Sequence, residues 1–320
     1  MAMDLLLASV QLIQRSQSDT GGYPACPAYP PYNFCWFRDG SFVAEAMSRA
    51  GDIESTEKFF DWCDGVITAR EDKIMGGEKL DARYTLDGQE SHEAWSRFQL
   101  DGYGLWLWAL KNHETRHNKK LPQHDHAVEL TTGYLTAHWQ EPCDDWWEER
   151  SGMHPSTLAS IYAGLKAIGN PAAEDVKASI KLEEERNDAS LLACPLLGAI
   201  DYATFEPYVR KLEYSLVSAD GGVYRYKEDE YYGGGEWVLL TAMLGWYYAA
   251  IGERTKAEEK LAWVISKADE NGQLPEQTQN KLLKPEAYES WVVRNGPPAK
   301  PLLWSHAMYI ILLDELNKHS

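Results

Sequence analysis

Residues 39–55 read Asp-Gly-Ser-Phe-Val-Ala-Glu-Ala-Met-Ser-Arg-Ala-Gly-Asp-Ile-Glu-Ser. Helical periodicity runs from about Asp39 to Arg49, Gly51 stops it, and Asp52-Ile53-Glu54-Ser55 supplies capping chemistry for a second helix from about Ile53 to Arg70. Two helices joined by a two-residue stop form a hairpin, and the same pattern returns at Gly252-Glu253. Outward from this pair, helical spacing predicts helices near 5–17, 99–116, 124–140, 155–168, 171–186, 188–199, 203–216, 236–251, 254–270 and 302–317. That makes about twelve helices, while strand alternation is scarce. The connections are of two kinds. Some are tight; others, at 20–37, 72–98, 141–153, 217–235 and 271–300, are long and rich in Gly, Trp and charge. Long loops in a compact domain are more often functional than filler. Short loops at one end and long ones at the other suit a helical toroid with its site on the long-loop face. No Pro/Ser linker divides the chain, so one domain over 1–320 is expected.

Composition narrows the partners. The 49 Asp and Glu outnumber 31 Lys and Arg, for a net charge of −18. Such a surface repels phosphate backbones and anionic lipid, which argues against nucleic acid and membrane partners. Five scattered cysteines without a CxxC motif argue against a structural zinc and a disulfide framework, although Cys26 and Cys35 are close enough in sequence to pair. No apolar run reaches membrane-spanning length, and no signal sequence is evident, so a cytoplasmic protein is expected. The chain holds 13 Trp and 18 Tyr against 7 Phe. That excess fits flat surfaces with a polar edge, as sugar clefts use, and equally fits aromatic core filling.

Four long loops carry clusters of one kind. Trp36-Phe37-Arg38-Asp39 sets a fork of donors beside an acceptor at a helix start, which suits a ring of hydroxyls or a simple helix cap. Trp95-Ser96-Arg97 repeats the combination. Asp144-Asp145-Trp146-Trp147-Glu148-Glu149-Arg150 crowds four acids around two indoles, and burial beside Trp raises a carboxyl pKa enough to keep an acid protonated near neutrality. Asn271-Gly272-Gln273-Leu274-Pro275-Glu276-Gln277 places a lone carboxylate after a stiff Leu-Pro.

In this order, with Arg225 to Tyr232, Trp237 and Pro301-Leu302-Leu303-Trp304-Ser305-His306-Ala307, the motifs resemble the glucoamylase-like glycoside hydrolase family 15, from residue 36 to 307. The resemblance implies an all-α (α/α)6 barrel and an inverting, exo-acting α-glucosidase. Position by position it implies Glu148 as general acid and Glu276 as general base. It also implies Arg38 and Asp39 on the non-reducing glucose, Arg225 and Glu149 near the second sugar, and Trp36, Trp95, Arg97, Trp147 and Trp237 around the substrate. The chain departs from the family in lacking an N-terminal β-sandwich and a starch-binding module, and in carrying Gly233-Gly234-Gly235-Glu236 where relatives often have Asn and Pro. The expected substrate is therefore a short neutral gluco-oligosaccharide, isomaltose- or maltose-like, without metal or cofactor. Trehalose hydrolysis, a non-catalytic sugar-binding toroid and a toroid enzyme of other sugar chemistry are the competing readings. His306 reads as a packed, hydrogen-bonded residue rather than a base.

Overall fold

The protein is described from a computed structural model that covers residues 2–93, 95, 98–182 and 187–318. Its helices are α1 (Ala2–Ser16), α2 (Phe37–Arg49), α3 (Ile53–Thr68), α4 (Glu71–Met75), α5 (Asp101–Arg116), α6 (Asp125–His138) and α7 (Pro155–Ala167), followed by α8 (Ala172–Ser179), α9 (Ala193–Leu196), α10 (Tyr202–Leu216), α11 (Val238–Ala250), α12 (Arg254–Ser266), α13 (Pro285–Asn295) and α14 (Leu303–Lys318). The hairpin read at residues 39–55 is present. Gly51 takes a φ of 84°, the left-handed value that lets glycine close a helix, and Asp52 accepts from the Ser55 amide to start α3.

Burial separates two layers. In α2 every residue from Phe37 to Ser48 is buried, and α11 is buried from Val238 to Ala249. A helix apolar or packed on all sides belongs inside a fold, whereas α3 and α12 bury only one stripe. The inner members α2, α5, α7, the turn Ala189–Leu192 with α9, α11 and α14 touch in that order, and α14 returns to α2, closing a ring of six. Outside them α3, α6, α8, α10, α12 and α1 back α2, α5, α7, the 189–192 turn, α11 and α14 respectively. This is the (α/α)6 barrel. Glycine permits its closest contact: a Cβ on Gly104 of α5 would sit 2.3 Å from the Ser160 carbonyl oxygen, and one on Gly164 of α7 would sit 2.3 Å from the Gly104 carbonyl oxygen. Any side chain there would force the two inner helices apart.

Two expectations change in detail. The helix read over 171–186 ends at Ser179, with 183–186 outside the described residues. Of the long loops read at 72–98 and 271–300, the first overlaps α4 and the second contains α13. Pro285 at the first turn and Gly296 just past the end are ordinary start and stop signals for α13. The helix has no fully buried residue, and its short apolar face, Ala287, Tyr288, Trp291 and Val292, is only half-buried. All five cysteines are buried free thiols, Cys26 and Cys35 included. Among the described residues no helix is long and apolar enough to cross a membrane.

Candidate active site

The five long loops meet over one end of the ring and enclose a cavity of about 430 Å³. Each contributes: Tyr32 and Trp36 from the first, Trp95 from the second, Trp146 to Glu149 from the third, Arg225, Tyr231 and Trp237 from the fourth, Glu276, Trp291 and Asn295 from the fifth. Seven of the 13 tryptophans but only three of the 18 tyrosines line it, so the aromatic excess serves both the cleft and the core.

The third loop is a tight hairpin. Cys143–Asp144 pairs antiparallel with Ser151–Gly152, and Asp145 Oδ1 accepts from the backbone N–H groups of Glu149 and Arg150. Asp145 is thus turn scaffolding. The turn throws Glu148 into a left-handed φ of 62°. A non-glycine residue there carries strain and persists only where its surroundings over-determine it. Those surroundings are two indoles: Trp36 Nε1 donates to Glu148 Oε1 at 2.6 Å, and Trp95 Nε1 donates to Oε2. Arg38 Nη2 stands 3.8 Å from Oε1. Burial pushes the Glu148 carboxyl up to about 7, against the opposing pull of Arg38 and both indoles.

Arg38 and Asp39 lie in the first turn of α2 but do not cap it, because no side chain caps that helix at Trp36. Arg38 instead donates to Gln99 at 3.2 Å and to Asp101 at 3.1 Å, at the start of α5, and lies 5.4 Å over the Trp304 ring. Arg38 Nε and Asp39 Oδ2 are 3.3 Å apart, yet neither atom makes a hydrogen bond in the protein. Buried polar atoms are nearly always partnered, and this donor and acceptor have only each other, as an ion pair at the cavity wall. Burial raises the Asp39 carboxyl to about 6, with Arg38 opposing.

Glu276 is held by its backbone. Its N–H donates to Ala299 O at 2.9 Å and its carbonyl accepts from Val238 N at 3.1 Å. On the preceding residues, Ser305 Oγ donates to Pro275 O at 2.8 Å and Leu274 N–H donates to His306 Nε2 at 3.0 Å. His306 must then carry its proton on Nδ1, donating to Ser9 Oγ at 2.8 Å. Burial holds this histidine neutral, its pKa pushed down to about 3, so it buttresses the loop and takes no proton. Glu276 Oε2 is buried without a hydrogen-bond partner. Burial pushes the Glu276 carboxyl up to about 8, while the Arg225 charge and the hydroxyls of Tyr32 and Tyr231 favour its ionised form. Those two hydroxyls are 2.7 Å apart.

Arg225 is fixed by Asp229 through Nε at 2.8 Å, and its Nη2 reaches Glu149 at 2.9 Å. Its guanidinium lies 5.2 Å over Trp147 and 4.9 Å over Trp237. Trp147 is anchored by its indole N–H to Asp188 at 3.0 Å, and Tyr226 donates to Glu149.

The expected site residues Trp36, Arg38, Asp39, Trp95, Trp147, Glu148, Glu149, Arg225, Trp237 and Glu276 therefore line one cavity. Arg97 lies outside the described residues. The sequence reading did not nominate Tyr32, Tyr231, Trp146, Trp304 or Trp291 as site residues, nor Asp101 and Gln99 behind Arg38. Trp146, Tyr231 and Trp304 were inside the quoted motifs; Trp291 carried no signal beyond being an aromatic in a long loop.

Known proteins agree with this architecture. A family model for Glycosyl hydrolases family 15 matches residues 1–184. Isomaltose glucohydrolase from Kribbella flavida is 38% identical, over 98% of this chain and 93% of that protein. A solved wild-type glycosidase superposes with a TM-score of 0.93 at 36% identity, covering 99% of this chain and 97% of the other. A variant glycosidase solved in complex with glucose gives 0.92 at 36% identity, with the same coverage of 99% and 97%. A bacterial glucoamylase complexed with acarbose shares the fold at a TM-score of 0.78 and 20% identity, over 99% of this chain and 56% of its own. The family model over more than half of the chain and the 38% identical relative over nearly its full length place the chain in glycosyl hydrolase family 15, as a glycoside hydrolase of the α-glucosidase and glucoamylase type acting on carbohydrate.

Proposed function

We propose that this enzyme removes single glucose units from the non-reducing ends of short α-gluco-oligosaccharides, with inversion at the anomeric carbon. The observation that carries the reading is the pair Glu148 and Glu276: one carboxyl largely buried with 12% of its side chain exposed, the other fully buried, on separate loops, both held above the ordinary carboxyl range and facing one cavity. Glu148 gives its proton to the glycosidic oxygen as the C1–O bond breaks. Glu276 takes a proton from the water that attacks C1 from the opposite side. The carboxylate left on Glu148 is met by two indole N–H donors and the Arg38 charge, already in place where negative charge develops. Arg38 and Asp39 grip the glucose that is released, and Arg225 with Glu149 holds the sugar beyond the cleaved bond. The Kribbella relative's name favours an isomaltose-like α-1,6 substrate.

Glucose release by the pure protein from isomaltose, maltose and trehalose tests the reading, with isomaltose expected to be cleaved fastest. No release from any α-glucoside would leave only a sugar-binding toroid. The same assay across pH examines the pair. The working form has Glu148 protonated and Glu276 ionised; because Glu276 is raised the further of the two, this is the minority one-proton form of a coupled pair that titrates as a unit. The alkaline limb of kcat/KM is therefore expected between about 7 and about 8, far above an ordinary glutamate near 4.3. A limb near 5 would contradict the burial of these groups.

A further inference from the structure

We propose that Trp291, with Asn295 beside it on α13, forms the wall that holds the second sugar, the one expelled as leaving group; the inference rests on the α-glucosidase reading above. Both residues line the cavity. The rest of α13 gives it little reason to exist for packing alone. It has no buried residue, and Val293 on it is 85% exposed. Helices in proteins draw most of their stability from burying a face, and the face of this one, Ala287, Tyr288, Trp291 and Val292, is only half-buried, against the Tyr231–Gly233 turn. It is fastened at its ends. Leu283 N–H donates to Gly234 O at 3.1 Å and Lys284 N–H to Gly233 O at 2.9 Å. Just past its other end, Ala299 O accepts the N–H of Glu276. The helix thus spans from the turn that carries Tyr231 to the strap that holds Glu276.

Ring contacts fix which side of the cavity Trp291 occupies. It meets Tyr231 edge-on at 4.9 Å and lies 5.7 Å from Tyr232 at a tilt of 35°. Tyr231 in turn sits beneath the Arg225 guanidinium at 5.1 Å, and Arg225 pairs with Glu149. Trp291 therefore belongs to the Arg225 cluster rather than to the Arg38–Asp39 cluster that grips the first glucose. Tyr232 holds a left-handed backbone, φ 49° and ψ 37°, and with Glu148 is one of three non-glycine residues in that region among those described. The strain lies where the turn must present Tyr231 and receive α13. An indole for the apolar face of a pyranose, and an amide with both donor and acceptor, are the groups a glucosyl leaving group needs.

Contacts to a part of the substrate that does not react are felt in the transition state. The test compares isomaltose with α-glucosyl fluoride, whose leaving group is a single atom needing no such wall. Trp291→Ala is expected to lower kcat/KM for isomaltose by at least about tenfold more than for the fluoride, and Trp291→Phe to recover most of the difference. Equal losses on the two substrates would make Trp291 a prop of α13 and overturn the wall, as would no loss on either. A wild-type protein that cleaves the fluoride but no α-linked disaccharide would overturn the wall while leaving the chemistry standing. One that cleaves neither overturns the α-glucosidase reading itself.

Discussion

Glu148→Gln and Glu276→Gln are each expected to fold normally and to lose about 10²- to 10⁴-fold in kcat, the usual range when general acid or base help is removed. Folding should be spared because both carboxyls are raised by burial, so a neutral amide of the same shape relieves desolvation rather than adding to it. Glu148→Gln keeps an oxygen for one indole donor but has no proton to give. A leaving group that needs no protonation, such as fluoride, should therefore recover activity in this variant and not in Glu276→Gln. Glu149→Gln is the neighbouring control. Glu149 accepts from Arg225 and Tyr226, so its loss should weaken binding more than it slows chemistry. If Glu149→Gln were the slower enzyme, the acid would be misplaced by one residue. Steady-state kinetics with melting temperatures on the three variants decides this.

Asp39→Asn is expected to cost about ten- to a hundredfold in kcat/KM while leaving the melting temperature within a few degrees of wild type. A charged hydrogen-bond partner is worth about 1.5–3 kcal/mol, and about 1.4 kcal/mol is a factor of ten. Asp39 Oδ2 is buried and makes no hydrogen bond in the protein beyond its 3.3 Å ion pair with Arg38, so most of its loss is expected to fall on the ligand. The fold keeps its other supports there: Arg38 retains Asp101 at 3.1 Å and Gln99 at 3.2 Å, and α2 has no side-chain cap to lose. A parallel fall in stability and activity would return Asp39 to a structural role.

Much of this was legible in the sequence because it rests on local chemistry. Gly51 and Asp52 stop one helix and start the next by φ and by capping, which neighbouring residues dictate. Glu148 stands out among acids crowded against two indoles, which are costly as solvated surface, whereas Trp36, Arg38 and Asp39 fit a helix cap on local chemistry and are nominated through the family resemblance. Pairings across the barrel were not legible. Nothing near Trp36 or Trp95 says that both indoles donate to Glu148, 112 and 53 residues away. Tyr32 and Tyr231 meet across 199 residues, and only the closed ring brings them to Glu276. The four acids around Trp146 and Trp147 read alike in sequence, yet Asp145 ties a turn while Glu148 and Glu149 face the cavity. Helix α13 escaped notice because it is short and only half-buries its apolar face, and the partners of Trp291, Tyr231 and Tyr232, lie far away in sequence.

Inversion needs an acid and a base held apart, with water between base and sugar. An inverting pair leaves about 6.5–9.5 Å for that water, whereas a retaining pair closes to about 5–5.5 Å so that one carboxylate attacks the sugar directly. Proton NMR of the anomeric signals during the first minutes of isomaltose hydrolysis, before mutarotation, reads the outcome. The first-formed glucose is expected to be the β anomer; an initial α-glucose signal would contradict inversion and the division of roles between Glu148 and Glu276.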